Sequence, residues 1–390
     1  MVQESDWLLR GPHQQHHLME KMSLKGHLIH VIDYPITWRN EKDRSLLSKR
    51  TLYEDVSRFY PGSKITVIRP AIVKLPLLDK MSIPFSHREE IKKQIKDFKP
   101  DVIIGLGILN NYYAIREAKK AGIPFIYYLI DSLHRLINNS LFRYIAKKIE
   151  KNNIKNAILI ITINKKLMEY AVNMGGYKEH ISVIPAGIDF NFFNSTITGD
   201  EVRLKYNILE KDLVLFYMGW LYNFSGIKEV AKEVLRLGNK NIRLLIVGEG
   251  EAMRDLENIK RYDINNLIIL TGKQPYNLIP KFIASSDVCI LPAYNNDIMK
   301  DIVPIKLYEY MAMGKPVITT HLTGVITEFG EENGLFYIEK PEHTVFKALE
   351  IKNKGLINFY GSKSKKTVVN NNWDKITKDF ELCLKQIISK

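Results

Sequence analysis

Ile302-Val303-Pro304-Ile305-Lys306-Leu307-Tyr308-Glu309-Tyr310-Met311-Ala312-Met313-Gly314-Lys315-Pro316-Val317-Ile318 reads as a helix that opens at a proline, closes at a glycine and runs straight into a buried strand. Proline suits a first helical turn, and Gly314 suits the left-handed residue just past a helix end. Lys306 and Glu309 are three apart, so they share one face near the helix start. A cation beside free helix N–H groups is what a diphosphate needs, and a neighbouring carboxylate can bind the hydroxyls of a ribose. The plainer alternative is a solvated ion pair on one more βα unit, the repeating element of any α/β protein. Local chemistry alone leaves both open.

Outward from this segment, short β-branched runs alternate with helical patterns, the rhythm of βα units on parallel sheets. In the first half, strands are predicted at 27–34, 64–71, 101–105, 124–131, 157–164 and 182–185. Helices are predicted at 13–23, 86–98, 112–121, 142–151 and 165–173. In the second half, strands fall at 213–218, 243–247, 267–271, 288–291 and 316–319, with a helix after each of the first four. Each half reads as one doubly wound sheet, giving domains at 1–188 and 189–372 and a terminal helix at 373–390 that crosses back to the first. The joint falls among the turn residues near Gly187 to Gly199.

A chain of 390 residues, 45% apolar and 26% charged, has the composition of a globular protein of about two domains. No apolar run approaches the roughly 20 residues of a membrane span, and the opening residues lack the regions of a signal peptide. Two cysteines, Cys289 and Cys383, give no disulfide framework, which points to a reducing, cytoplasmic compartment. The net charge of +14 is uneven: residues 1–190 hold 30 Lys/Arg against 19 Asp/Glu, the remainder 27 against 24. The basic first half is expected to meet something anionic. Arg143-Tyr144-Ile145-Ala146-Lys147-Lys148-Ile149-Glu150-Lys151 fits the surface of an anionic bilayer, or else a solvated helix face. With no zinc-finger spacing, RNP-like motif or basic zipper, nucleic acid is not an expected partner.

The segment at 301–324 resembles the donor-site signature of the family 4 glycosyltransferases, whose GT-B fold is α/β, with two Rossmann-like doubly wound domains facing across a cleft. Val183-Ile184-Pro185-Ala186-Gly187-Ile188-Asp189 is similar to the family's interdomain linker. Phe216-Tyr217-Met218-Gly219 followed by Gly226-Ile227 is similar to the opening strand and loop of the donor domain, and Trp373 to Leu384 resembles the terminal crossing helix. The likeness covers nearly the whole chain and loosens toward the N-terminus. A first domain of this kind opens with a buried strand, so that strand is expected either to be short or to lie upstream of Met1.

The resemblance implies roles residue by residue. Glu309 meets the nucleotide ribose, and Asp301, eight positions earlier, meets the transferred sugar; a dipole-favoured residue near a helix start is the alternative for Asp301. Gly219, Gly248, Gly250, Gly272 and Leu307 bring backbone to the nucleotide, although Gly248-Glu249-Gly250 fits a simple tight turn as well. Trp220 and Ser225 stand where many members carry an Arg and a Lys, charges whose hydrogen bonds are worth roughly 1.5–3 kcal/mol each. Lys306, helped by Arg10, is left to neutralise the departing phosphate. The acceptor side takes the loop Arg10-Gly11 with His13, together with Asp131 and His134. His134 is otherwise expected on the surface. His13 and His17 have the spacing of a zinc helix but lack its glutamate, with Gln14 in place.

No metal or other cofactor is expected, since GT-B enzymes stabilise the diphosphate with side chains and helix dipoles. The expected activity is transfer of a hexosyl unit from a nucleoside-diphosphate sugar, UDP-linked, to a saccharide or lipid-linked acceptor with retention. The alternatives are a GT-B nucleotide-sugar epimerase and a degenerate nucleotide-sugar-binding subunit. Cytoplasmic location, with peripheral attachment to the inner face of the membrane, follows from the same reading.

Overall fold

The computed structural model describes residues 1–9, 13–35, 38, 45–76, 78–331 and 333–388. Two compact units form, one of Met1–Ala186 with Trp373–Lys390, the other of Gly187–Asn372. The expected site residues Arg10 and Gly11 lie outside the described residues.

The first unit carries strands β1 (Val2–Gln3), β2 (Ile29–Ile32), β3 (Thr51–Val56), β4 (Ile65–Arg69), β5 (Ile103–Leu106), β6 (Phe125–Leu129), β7 (Leu159–Thr162) and β8 (Ile181–Val183). They are ordered β3-β4-β2-β1-β5-β6-β7-β8, and every pairing is parallel except β3 with β4. The sequence reading missed β3. Leu52, Tyr53, Glu54 and Asp55 on this edge strand are exposed, and a bulge between Tyr53 and Val56 breaks the alternation that would have marked it. The opening strand β1 is two residues long and lies between β2 and β5. Beyond it, Arg69 bridges Asp6 (2.9 Å) and Asp33 (2.8 Å), two fully buried carboxylates that tie the turn after β1 to the neighbouring strands.

The second unit carries β9 (Leu213–Met218), β10 (Ile242–Val247), β11 (Ile268–Leu270), β12 (Val288–Leu291), β13 (Val317–Thr320) and β14 (Leu335–Ile338). All its pairings are parallel, in the order β11-β10-β9-β12-β13-β14. Every residue of β9 and β12 is buried, as strands covered by helices on both faces must be. The order reverses between β9 and β12, and open α/β sheets bind ligands beyond the carboxyl ends of their strands at such a reversal. Sequence periodicity stopped short of β14, another edge strand with two half-exposed positions.

The Trp373–Ile388 helix belongs to the first unit and packs on the Gln14–Leu24 helix. Trp373 stacks on His17 with ring centroids 4.9 Å apart, and Lys21–Asp374 (2.7 Å) and Lys25–Glu381 (2.6 Å) flank it. The exposed ion pairs add little; the indole, fully buried, does the anchoring. Trp373→Ala should cost about 3–5 kcal/mol, read as a lower urea midpoint for this unit by circular dichroism. An unchanged midpoint would show that the helix docks without it.

Candidate functional site

The helix that follows β12 in the second unit runs Ile305–Ala312, with Pro304 as its extended N-cap residue (φ −67°, ψ 137°). Its chain leaves through Gly314 at φ +69°, a left-handed conformation that suits glycine. Lys306 and Tyr310, one turn apart, both hold residue 218 at the end of β9. The Lys306 ammonium donates to the Met218 carbonyl (2.6 Å), while the Met218 N–H donates to the Tyr310 hydroxyl (2.9 Å). The same ammonium lies 4.5 Å from the centre of the Tyr217 ring, a cation–π contact. Lys306 thus projects across the β9/β12 reversal and stands beside Gly219, where a Cβ would come within 2.6 Å of its Nζ.

Glu309 is buried and accepts a hydrogen bond from the Tyr276 hydroxyl (3.2 Å). Burial pushes its carboxyl up to about 7, against the opposing pull of Tyr276 and Lys306. Burial also lowers the Lys306 ammonium to about 8, with Glu309 drawing it back up. Both groups are therefore poised near neutrality, as groups in functional sites tend to be. Tyr276 in turn stacks on Phe192 at 4.9 Å.

Three of the four glycines are required by geometry. Gly219, Gly248 and Gly250 have φ of +124°, +147° and +152°. A Cβ on Gly248 would lie 1.9 Å from the Gly219 carbonyl oxygen, and one on Gly250 would lie 2.6 Å from the Leu221 nitrogen. The loops after β9 and β10 are laced by Leu221 N–H to Glu249 O and by Ala252 N–H to Leu221 O, and Gly248 N–H reaches Gly272 O after β11. The result is a layer of partly exposed peptide without side chains at the carboxyl ends of three adjacent strands, onto which a ligand can approach closely. Of the remaining expected residues, Leu307 is fully buried and its amide donates to the Pro304 carbonyl. Asp301 sits in the turn leading to Pro304, its backbone pressed against Gly324. Trp220 is 47% exposed, and Ser225 is buried at the start of the next helix.

In the first unit, His13 caps the Gln14–Leu24 helix, its N–H meeting His16 Nδ1 at 3.2 Å. His17, four residues on, is enclosed by Phe59, Tyr60 and Trp373, with Nδ1 on the Tyr60 hydroxyl (2.8 Å). Burial pushes its imidazole down to about 3. Among the described residues no group of three His, Cys, Asp or Glu side chains is placed to hold a metal ion. Asp131 follows β6, and its carboxyl rises to about 6, chiefly through burial and then through the nearby Glu150. The expectation of a surface His134 is overturned. It is 5% exposed, because Glu150 comes up beneath it from the Ser140–Asn156 helix and takes its Nδ1 at 2.6 Å. Sequence reasoning gave no role to Glu150, Tyr217 or Tyr310. The last two were marked only by their positions beside Met218 and one turn beyond Lys306.

Comparisons with known proteins agree with this fold. Residues 15–192 match the profile of Glycosyltransferase Family 4, and residues 212–351 match that of Glycosyl transferases group 1. A putative teichuronic acid biosynthesis glycosyltransferase of Bacillus subtilis, TuaC, is 25% identical over 78% of this chain and 75% of its own. The N,N'-diacetylbacillosaminyl-diphospho-undecaprenol alpha-1,3-N-acetylgalactosaminyltransferase of Campylobacter jejuni is 24% identical over 60% of this chain and 63% of its own. Among solved structures, Anabaena Alr3699/HepE in complex with UDP superposes with a TM-score of 0.73 at 13% identity, covering 99% of both chains. Two parallel-sheet α/β units with these relatives define a GT-B glycosyltransferase. Together these matches mark the chain as a family-4-like member of these enzymes.

The glycine layer generates a graded prediction. Gly248→Ala combines a forbidden φ with a backbone collision and should cost about 1–3 kcal/mol or more. Gly272→Ala meets no atom within 4 Å at φ +69° and should cost only the left-handed penalty, about 1–2 kcal/mol. Thermal melts of the two variants check the order, and equal losses would contradict the collision.

Proposed function

We propose that this glycosyltransferase moves a hexosyl unit from a UDP-linked sugar to a saccharide or lipid-linked acceptor, with retention and without a metal. The observation that carries the donor side is the Lys306 ammonium held at the carboxyl end of β9 beside Gly219. An ammonium has three N–H donors, and beside the Met218 carbonyl it can also meet a phosphate oxygen. Lys306 and the first free amides of its helix would stabilise the charge that develops on the departing diphosphate. Glu309 would accept the ribose hydroxyls, and Asp301 the hydroxyls of the transferred sugar. The turns at Gly219, Gly248, Gly250 and Gly272 would bring backbone against the nucleotide.

The acceptor falls to the basic first unit, with Asp131 and His134 as the polar groups at the end of β6. The Campylobacter relative is named for a diphospho-undecaprenol-linked substrate, which supports a lipid-linked acceptor here. Leu141, Phe142, Tyr144 and Ile145 are exposed on the Ser140–Asn156 helix, among Arg143, Lys147, Lys148 and Lys151, all exposed as well. Apolar side chains ringed by cations suit the interface of an anionic membrane, each cation adding about 1 kcal/mol near the surface. Among the described residues no helix is long and apolar enough to cross a membrane. The exposed Trp220 and buried Ser225, in place of two phosphate-gripping cations, favour a second reading as a binding subunit without turnover.

Three outcomes test the proposal. Lys306→Ala should reduce transfer at least about 10²-fold while leaving the circular dichroism spectrum unchanged; near-normal turnover would refute the mechanism, and tight nucleotide binding by a wild type that never turns over would support the second reading. UDP-glucose affinity, measured by calorimetry, should peak between about pH 7 and pH 8. Above this window Lys306 loses its proton and its charge; below it Glu309 gains a proton and accepts hydroxyls poorly. Lys306→Arg, charged throughout, should flatten the alkaline limb alone, and an unaltered limb would assign it to another group. The protein should sediment with phosphatidylglycerol-containing vesicles at low salt and not with phosphatidylcholine vesicles. Phe142→Asp should release it, and equal binding of the variant would exclude this helix.

A further inference from the structure

Behind His134 lies a cluster of buried groups on three different elements. Glu150, on the Ser140–Asn156 helix, has no exposed surface. Its carboxylate receives the His134 ring at Nδ1 (2.6 Å) and the Tyr170 hydroxyl (2.8 Å) on Oε2, with the Tyr127 hydroxyl 3.5 Å from Oε1. Tyr170 comes from the Lys165–Asn173 helix and stacks on the His134 ring at 6.1 Å, while Tyr127 comes from β6 and also donates to the Gly107 carbonyl (3.2 Å). Both phenols are pushed well up, first by burial and then by Glu150, so they remain donors. Asp131 and Arg135 flank the ring in sequence, and Arg135 lies over Tyr170. Among the described residues the groups around Glu150 are donors, and the Tyr170 hydroxyl also lies 3.2 Å from His134 Nδ1, farther than Glu150 at 2.6 Å.

A neutral imidazole has one N–H, and the bond made by one ring nitrogen decides what the other can do. Among the described residues, both hydrogen-bond contacts of the His134 ring fall on Nδ1. We propose that Glu150 is a positioning residue: its carboxylate fixes His134 as the Nδ1–H tautomer, stacked on Tyr170, so that Nε2 is presented as a hydrogen-bond acceptor for the acceptor's hydroxyl. This rests on the reading that the acceptor binds at the first unit. It gives a purpose to a carboxylate buried beneath a site whose own candidate ligands are Asp131 and His134. A buried carboxylate holding a histidine in one tautomer is worth orders of magnitude in other enzymes that depend on it.

The test joins spectroscopy to kinetics. Nitrogen-15 spectra of histidine-labelled protein should show His134 as the Nδ1–H tautomer. Glu150→Gln, which offers an N–H as readily as an acceptor, should release that preference. With UDP-glucose as donor and a short-chain prenyl-diphosphate-linked N-acetylglucosamine as acceptor, Glu150→Gln should lower kcat/KM for the acceptor about 10-fold or more and leave UDP-glucose affinity within about twofold. Joined to His134→Ala, it should add no further loss, since residues acting as a unit are not additive. Should Glu150→Gln fail to fold, Tyr170→Phe, which removes one hydroxyl, should show the same split at smaller size.

An Nε2–H tautomer in the wild type overturns the proposal, as do multiplicative losses in the double variant or equal effects on donor and acceptor. A wild type that transfers from no nucleoside-diphosphate sugar overturns the activity instead, and the tautomer then decides the Glu150–His134 pair on its own.

Discussion

The contact on which the second unit turns is the one between the Lys306 ammonium and the Met218 carbonyl. It joins the helix after β12 to the end of β9, the two neighbouring parallel strands at which the strand order reverses. A lysine confined there loses hydration, which is why its pKa falls, and the nearby Glu309 restores only part of the loss. A cation desolvated in this way interacts more strongly with an arriving anion than an exposed one would. The cost of holding it is met by a strong carbonyl acceptor, an aromatic face and a carboxylate, all fixed by the same eight-residue helix and its neighbours.

The glycines serve that contact. Met218 can be gripped from below by Lys306 and Tyr310 because the chain turns sharply at Gly219. Gly219 can turn there because Gly248 offers no side chain against its carbonyl. The turn, the cation and the carboxylate therefore form one assembly. On the reading proposed above, Trp220 and Ser225 in place of an Arg and a Lys would leave the phosphate charge to fewer groups and raise the weight on Lys306.

Much of this was legible in the sequence because helix geometry is local. Spacing alone placed Lys306 and Glu309 on one face and Gly314 at the exit, and the resemblance to family 4 supplied the fold. What stayed hidden was non-local or at an edge. Strand β3 shows no alternation, because it pairs on one side only and carries a bulge. His134 looked like a surface residue, since nothing within a few positions announces Glu150, sixteen residues later and one helix away. Likewise Tyr276 reaches Glu309 from thirty-three residues upstream. Loop residues 10–12 lie outside the described chain, and the polar groups described near the end of β6 are Asp131 and the His134–Glu150 pair.

The most direct test is a crystal structure of the protein with UDP. A diphosphate oxygen should lie about 2.7–2.9 Å from Lys306 Nζ, with the ribose hydroxyls on Glu309. A nucleotide bound away from the carboxyl end of β9, with the ammonium still turned wholly to Met218, would contradict the account.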